Sequence, residues 1–92
     1  MNCRICLPDA MLKNCKSFPS VYLATSASLR PTLIALVDAY PSIRDYLFDE
    51  DMNLRRFVNV FVDGVDVRQL QGLDTDIEQS HEVTIIMAVA GG

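Results

Sequence analysis

The strongest constraint on the fold of this 92-residue sequence is the stretch "RRFVNVFV" at positions 55–62. Valine occupies every second position of its last five residues, which predicts a β-strand with one buried face. The stretch runs into Asp63–Gly64, a dipeptide typical of tight hairpin turns, and the chain then returns as "VDVR" at 65–68. The sequence therefore predicts a β-hairpin over 55–68.

One amphipathic helix precedes this hairpin, within "SASLRPTLIALVDAYP". Large apolar residues recur there at the spacing of one helix face: Leu29, Leu33, Leu36 and Tyr40. Ser28 is a favourable N-cap residue, and Pro41 ends the helix because proline disfavours helical geometry in the residue before it.

The remaining pattern predicts three further strands and several short connections. The strands are expected at 2–7, 20–26 and 82–89, loops at 8–19 and 49–53, a short helical piece at 42–48, and a helical turn capped by Thr75. The order is therefore β-β-α-β-β-β. Five strands and one main helix predict an α+β fold, with the helix packed on one face of the sheet. The last strand is almost continuously apolar, so we expect it in the middle of the sheet.

Chain length and net charge limit the class of protein that this sequence can be. Ninety-two residues predict a single domain over 1–92, and the net charge of −4 with no basic cluster disfavours nucleic-acid binding. No segment approaches the length of a membrane span, and no signal-peptide pattern is present, so we expect a cytoplasmic protein.

Three cysteines, Cys3, Cys6 and Cys15, raise the question of a metal site with the single His81. On a strand, residues three apart point to opposite faces, so Cys3 and Cys6 cannot bind one ion together. We therefore expect no metal site, with Cys3 in the core and Cys6 near the surface.

The apolar residues opposite the valines predict a surface feature. Phe57, Phe61 and Ile86 fall on the sheet side that one helix would leave uncovered, where they could form a docking patch. A core that wraps both faces, or an inverted register of the strands, explains them equally well.

No catalytic or phosphate-binding motif occurs in the sequence. The chain ends in Gly91–Gly92, and residues without side chains can lie in a narrow tunnel of a partner protein. The terminal carboxylate is ionised and unreactive by itself. The tail, about 88–92 and expected to be flexible, is therefore the best candidate for chemistry, provided that a partner activates it.

From Leu29 to the end, the sequence resembles the ubiquitin-like sulfur carriers of the ThiS/MoaD family. The resemblance rests on "SLRPTLIALVDAYP", "RRFVNVFVDGVDVR", "GLDT" and "EVTIIMAVAGG". It implies a β-grasp fold and a carrier rather than an enzyme. The stretch at 56–77 looks most like the branches that serve cysteine synthesis and molybdopterin synthase.

The resemblance also implies the chemistry. Gly92 would be adenylated with Mg-ATP by an E1-like enzyme and then converted to a thiocarboxylate, while Gly91, Ala90 and Val89 form the extended tail. No cofactor is expected to bind the carrier itself. The implied acceptor is a cysteine-synthase-like enzyme, with the molybdopterin synthase large subunit as the alternative and a JAMM-type metalloprotease as a possible further partner. A ubiquitin-like modifier that forms isopeptide conjugates is another alternative.

Overall fold

The computed structural model describes residues 3–13, 15, 18–19 and 21–87. Its strands are β1 (Arg4–Cys6), β2 (Val58–Val62), β3 (Val65–Asp66) and β4 (Glu82–Met87). Its α-helices are α1 (Asp9–Leu12), α2 (Leu29–Ala39) and α3 (Arg44–Leu47), with 3₁₀ turns at Pro41–Ile43, Val67–Gln69 and Gly72–Asp74. Among these helices, none is long and apolar enough to cross a membrane.

The four strands form one mixed sheet in the order β1-β4-β2-β3. β1 is parallel to β4, whereas β2 is antiparallel to both of its neighbours. The last strand is thus central, as its apolar composition predicts. The turn at Asp63–Gly64 has positive φ at both residues, 49° and 84°, which is the geometry of the tight hairpin predicted for this dipeptide.

The predicted fifth strand at 20–26 is reduced to a single antiparallel bridge between Leu23 and Arg4. Two backbone bonds accompany it: Ile5 N donates to Tyr22 O at 2.8 Å, and Ala24 N donates to Cys3 O at 2.8 Å. The prediction of a full strand there is wrong because the backbone bends from Thr25 onward, before a longer ladder can form. The segment nevertheless pairs with β1 through this one bridge.

The main helix follows the prediction. α2 begins after Ser28, whose backbone is extended as in an N-cap, although its hydroxyl group makes no capping bond. The helix ends before Tyr40, which precedes Pro41. Leu29, Leu33 and Leu36 are fully buried, so this face of α2 packs into the core with the valines of β2.

The connections differ from the predictions in three places. The predicted loop at 8–19 contains α1, which places Met11 in the core. The returning strand ends at Asp66, because the Asp66 carboxylate accepts a bond from Arg68 N (2.9 Å) and starts a 3₁₀ turn. Thr75 begins no helical turn; it closes the preceding one, and its hydroxyl group donates to Gly72 O at 2.7 Å. These elements are too short for a regular spacing of apolar residues to mark them in the sequence.

Candidate functional site

β4 carries the chain toward its end through the middle of the sheet. Val83 and Ile85 are buried, opposite Val62 and Val60 of β2, and Met87 is opposite Val58. The parallel pairing with β1 covers only Arg4–Cys6, so the second half of β4 pairs with β2 alone. The described part of β4 therefore ends beside the beginning of β2.

The predicted tail residues Val89, Ala90, Gly91 and Gly92 lie outside the described residues. Their role stays a prediction. The structure defines the surface that surrounds the start of this tail.

Phe61 and Ile86 lie together on the sheet face opposite α2, which we call the outer face. Phe61 pairs with Thr84, and Ile86 pairs with Asn59, so these four side chains occupy adjoining positions. Ile86 is 45% exposed, whereas the preceding Ile85 is 1% exposed. The alternation therefore places one isoleucine in the core and its neighbour on the surface.

Phe57 is also exposed, but it occupies a different setting. It precedes β2 by one residue and lines a shallow pocket with Leu54 and Asp49. The structure thus brings Phe61 and Ile86 together on one face, with Phe57 at the end of the sheet where the tail begins.

Polar side chains occupy the other end of the outer face. Arg4 forms an ion pair with Glu82 (3.1 Å), and Thr84 Oγ1 donates to Glu82 at 3.0 Å. Cys6 lies opposite Thr84 and is half-buried. Burial raises the pKa of the Cys6 thiol, Glu82 raises it further, and Arg4 partly opposes the shift.

The cysteines are placed as the strand pattern predicts, with Cys3 buried in the core and Cys6 closer to the surface. Burial is the main cause that raises the pKa of Cys3, with smaller contributions from Asp63, Cys6 and Glu82. A thiol with a raised pKa stays protonated at neutral pH and is a poor nucleophile. The thiols of Cys3 and Cys6 are therefore weaker nucleophiles at neutral pH than a cysteine with an ordinary pKa.

Sequence reasoning missed the residues that hold the beginning of β2. Arg68 donates to Val58 O at 3.2 Å and to Asn59 Oδ1 at 2.7 Å, and so ties the hairpin return to the strand. Arg55 Nε donates to the carbonyl oxygen of Asp45. Adjacent Arg55 and Arg56 were visible in the sequence, but only the hairpin brings Arg68 to them.

The fold and this surface define a small β-grasp protein whose last described strand, β4, contributes Ile86 to an apolar area on the outer face. The sequence model of the ThiS family matches residues 21–92, and the chain belongs to this family. It is 35% identical to the "Sulfur carrier protein CysO" of Mycobacterium tuberculosis (strain H37Rv), over the full length of both chains.

Comparison with solved structures agrees with this family membership. The fold is similar to that of Mycobacterium tuberculosis CysO, with a TM-score of 0.79 and 30% identity over 96% of this chain and 100% of that one. It is also similar to a chain in the crystal structure of the Amycolatopsis orientalis BexX/CysO complex, with a TM-score of 0.80 and 27% identity over 97% of this chain and 98% of that one. The predicted ubiquitin-like β-grasp fold is thereby confirmed, with four strands among the described residues rather than five.

Proposed function

We propose that this chain is a sulfur carrier for cysteine biosynthesis, in which the C-terminal carboxyl group of Gly92 holds the sulfur as a thiocarboxylate. The chain is a protein co-substrate and not an enzyme. Two observations carry the proposal. The chain is 35% identical, over its full length, to a protein named as the sulfur carrier CysO, and it belongs to the ThiS family.

The chemistry requires an activating partner. An ionised carboxylate is a poor electrophile. An E1-like enzyme would let one carboxylate oxygen attack the α-phosphate of Mg-ATP, so that pyrophosphate leaves and an acyl-adenylate forms. A sulfide would then attack the acyl carbon, and AMP would leave with the oxygen. No group of the carrier itself takes part except its terminal carboxyl.

The described residues support the other half of the proposed function, which is docking. Phe61 and Ile86 present an apolar area on the outer face, and Phe57 extends the exposed apolar surface toward the beginning of the tail. A partner bound there would hold the tail in its active site, and such positioning replaces a bimolecular encounter by an effectively intramolecular one. The acceptor in this proposal is a cysteine-synthase-like enzyme.

The test is the ATP-dependent incorporation of radioactive sulfide into the protein by the E1-like enzyme from the same genome. We expect label that survives treatment with dithiothreitol, because a thiocarboxylate has no sulfur–sulfur bond to reduce. A persulfide on Cys3, Cys6 or Cys15, which sulfide and a thiol form only when an oxidant removes two electrons, would lose its label under the same treatment.

Two variants complete the test. Deletion of Gly91–Gly92 should abolish the labelling, whereas Cys6→Ser should retain it. Label that depends on a cysteine, or that persists without the two glycines, would overturn the proposal.

A further inference from the structure

Three arginines surround a surface pocket of about 500 Å³ beside the start of the tail. We call it the arginine pocket; it is lined by Arg55, Arg56 and Arg68 together with apolar residues that include Val58, Val67 and Leu73. Val58 is the partner of Met87 in the sheet, so the pocket adjoins the point where β4 ends.

The charge of the pocket is opposite to that of the protein. The chain has 8 basic and 12 acidic residues, and three of the eight basic ones line this pocket. None of its lining residues, all in the described part of the chain, is acidic. The pocket is therefore a local positive region on an acidic molecule, and it favours a negatively charged partner group.

The guanidinium groups of the pocket form no ion pair among the described residues, although Asp49 lines an adjoining pocket with Arg55 and Arg56. Arg68 is fixed by the carbonyl oxygen of Val58 and the amide oxygen of Asn59, and Arg55 by the carbonyl oxygen of Asp45. These acceptors carry no net charge. Arg56 is exposed, and among the described residues it takes part in neither of the ion pairs found, Arg4–Glu82 and Arg30–Asp74.

The hydrogen bond to Asn59 also connects the pocket with the outer face. Asn59 pairs with Ile86, so Arg68 reaches from the pocket to the apolar docking area. The valines that line the pocket face the core and Ile86 faces outward, so the pocket and the docking area lie on different sides of β2, and Arg68 connects them through Asn59. A nearby positive group with spare N–H donors recognises carboxylates well, because guanidinium groups bind them in a bidentate manner.

We propose that the arginine pocket binds an acidic segment, with Asp or Glu carboxylates, on the enzyme that activates the tail. This inference rests on the proposed function and adds the chemistry of the partner's surface. Apolar contact on the outer face supplies binding area, and the arginines fix the orientation in which the tail enters the partner.

The first test does not need the enzyme. Isotope-labelled protein is titrated with a capped hexaglutamate peptide, and the side-chain N–H resonances of the arginines are followed by NMR. We expect weak, saturable shifts confined to Arg55, Arg56, Arg68 and their neighbours. Shifts spread over the surface, or none, would overturn the proposal, and so would equal binding of inorganic phosphate at the same residues.

Charge reversal supplies the matched comparison. Arg56→Glu should weaken hexaglutamate binding by at least about tenfold, which corresponds to ~1.4 kcal/mol. Lys13→Glu makes the same change of charge on an exposed residue that follows α1 and does not line the pocket, and it should leave binding unchanged. Equal effects of the two variants would indicate net charge alone and would contradict a specific pocket.

The second test identifies the occupant. With the E1-like enzyme, Arg56→Glu should raise the KM for the carrier at least about tenfold, with a smaller effect on kcat, and the difference should shrink with added salt. An unchanged KM would overturn the assignment to this enzyme. Failure of the wild-type chain to be adenylated would instead contradict the proposed function, while the peptide titration would still decide whether the pocket binds carboxylates.

Discussion

The two adjacent isoleucines of β4 provide a direct test of the two-faced sheet. Ile85 is 1% exposed and faces Val60 in the core, whereas Ile86 is 45% exposed on the outer face. We compare Ile85→Ala with Ile86→Ala, because the two substitutions remove the same atoms from neighbouring positions of one strand.

The expected magnitudes differ severalfold. Ile85→Ala should cost about 3 kcal/mol of unfolding free energy, within the ~2–5 kcal/mol range for isoleucine truncation in a core. For a domain of this size this corresponds to a decrease of roughly 12–24 °C in Tm. Ile86→Ala should cost about 1 kcal/mol, because nearly half of this side chain already contacts water and full burial contributes only ~1.5–3 kcal/mol.

The assay is urea unfolding followed by far-UV circular dichroism, since the protein has no tryptophan to report by fluorescence. Binding to the activating enzyme, measured well below the Tm of both variants, should show the reverse order. Ile86→Ala should weaken binding and Ile85→Ala should not. Equal losses of stability within about 0.5 kcal/mol would refute the reasoning, because both residues would then belong to one core.

Two further predictions concern the hairpin turn and the thiols. Asp63 Oδ1 accepts bonds from His81 N and Glu82 N, both at 2.9 Å, so Asp63→Ala should lower the unfolding free energy by about 1–2 kcal/mol. Asp63→Asn keeps an acceptor at this position and should lower the unfolding free energy by less than Asp63→Ala. Equal losses in the two variants would show that the two bonds contribute nothing. The raised pKa values of Cys3 and Cys6 predict a pH effect of a definite sign. Because the unfolded state ionises first, their contribution to stability is complete below the ordinary thiol pKa of 9.0 and is lost as pH rises through the higher folded values. The unfolding free energy should therefore be lower at pH 10 than at pH 8. A higher value at pH 10 would contradict the raised pKa values of the two thiols.

The sequence predicts the parts of the fold that carry long, regular patterns. α2 is correct because its leucines repeat over three turns and Pro41 marks its end. The strands β2 and β4 are correct because in both of them buried residues alternate with more exposed ones. The central position of β4 follows from its apolar composition.

The wrong predictions concern short elements in which apolar residues show no regular helical spacing or form no continuous strand pairing. α1 has four residues and only Met11 in the core, so no repeat marks it as helical. The segment 20–26 alternates as a strand does, with Val21 and Leu23 exposed on one side, yet only Leu23 forms a bridge. Composition predicts that such a segment can pair, but the bend that follows decides how far the pairing extends.

The candidate site, like the fold, was predictable from the sequence only in part. Alternation along the strands predicts that Phe61 and Ile86 share the face opposite the valines, and the structure places them there. The arginine pocket could not be predicted, because Arg68 lies ten residues after Val58 and reaches it only through the hairpin. The chemical role of the tail comes from the family and not from any described contact.

The central claim is that sulfur is carried on Gly92, and mass spectrometry of the intact protein tests it most directly. After incubation with the E1-like enzyme, Mg-ATP and sulfide, we expect a species in which one oxygen is replaced by one sulfur. Fragmentation should place this exchange in the last residue. Larger conjugates linked through lysine would instead identify a protein modifier, and an unchanged mass with an enzyme that adenylates the chain would contradict the claim.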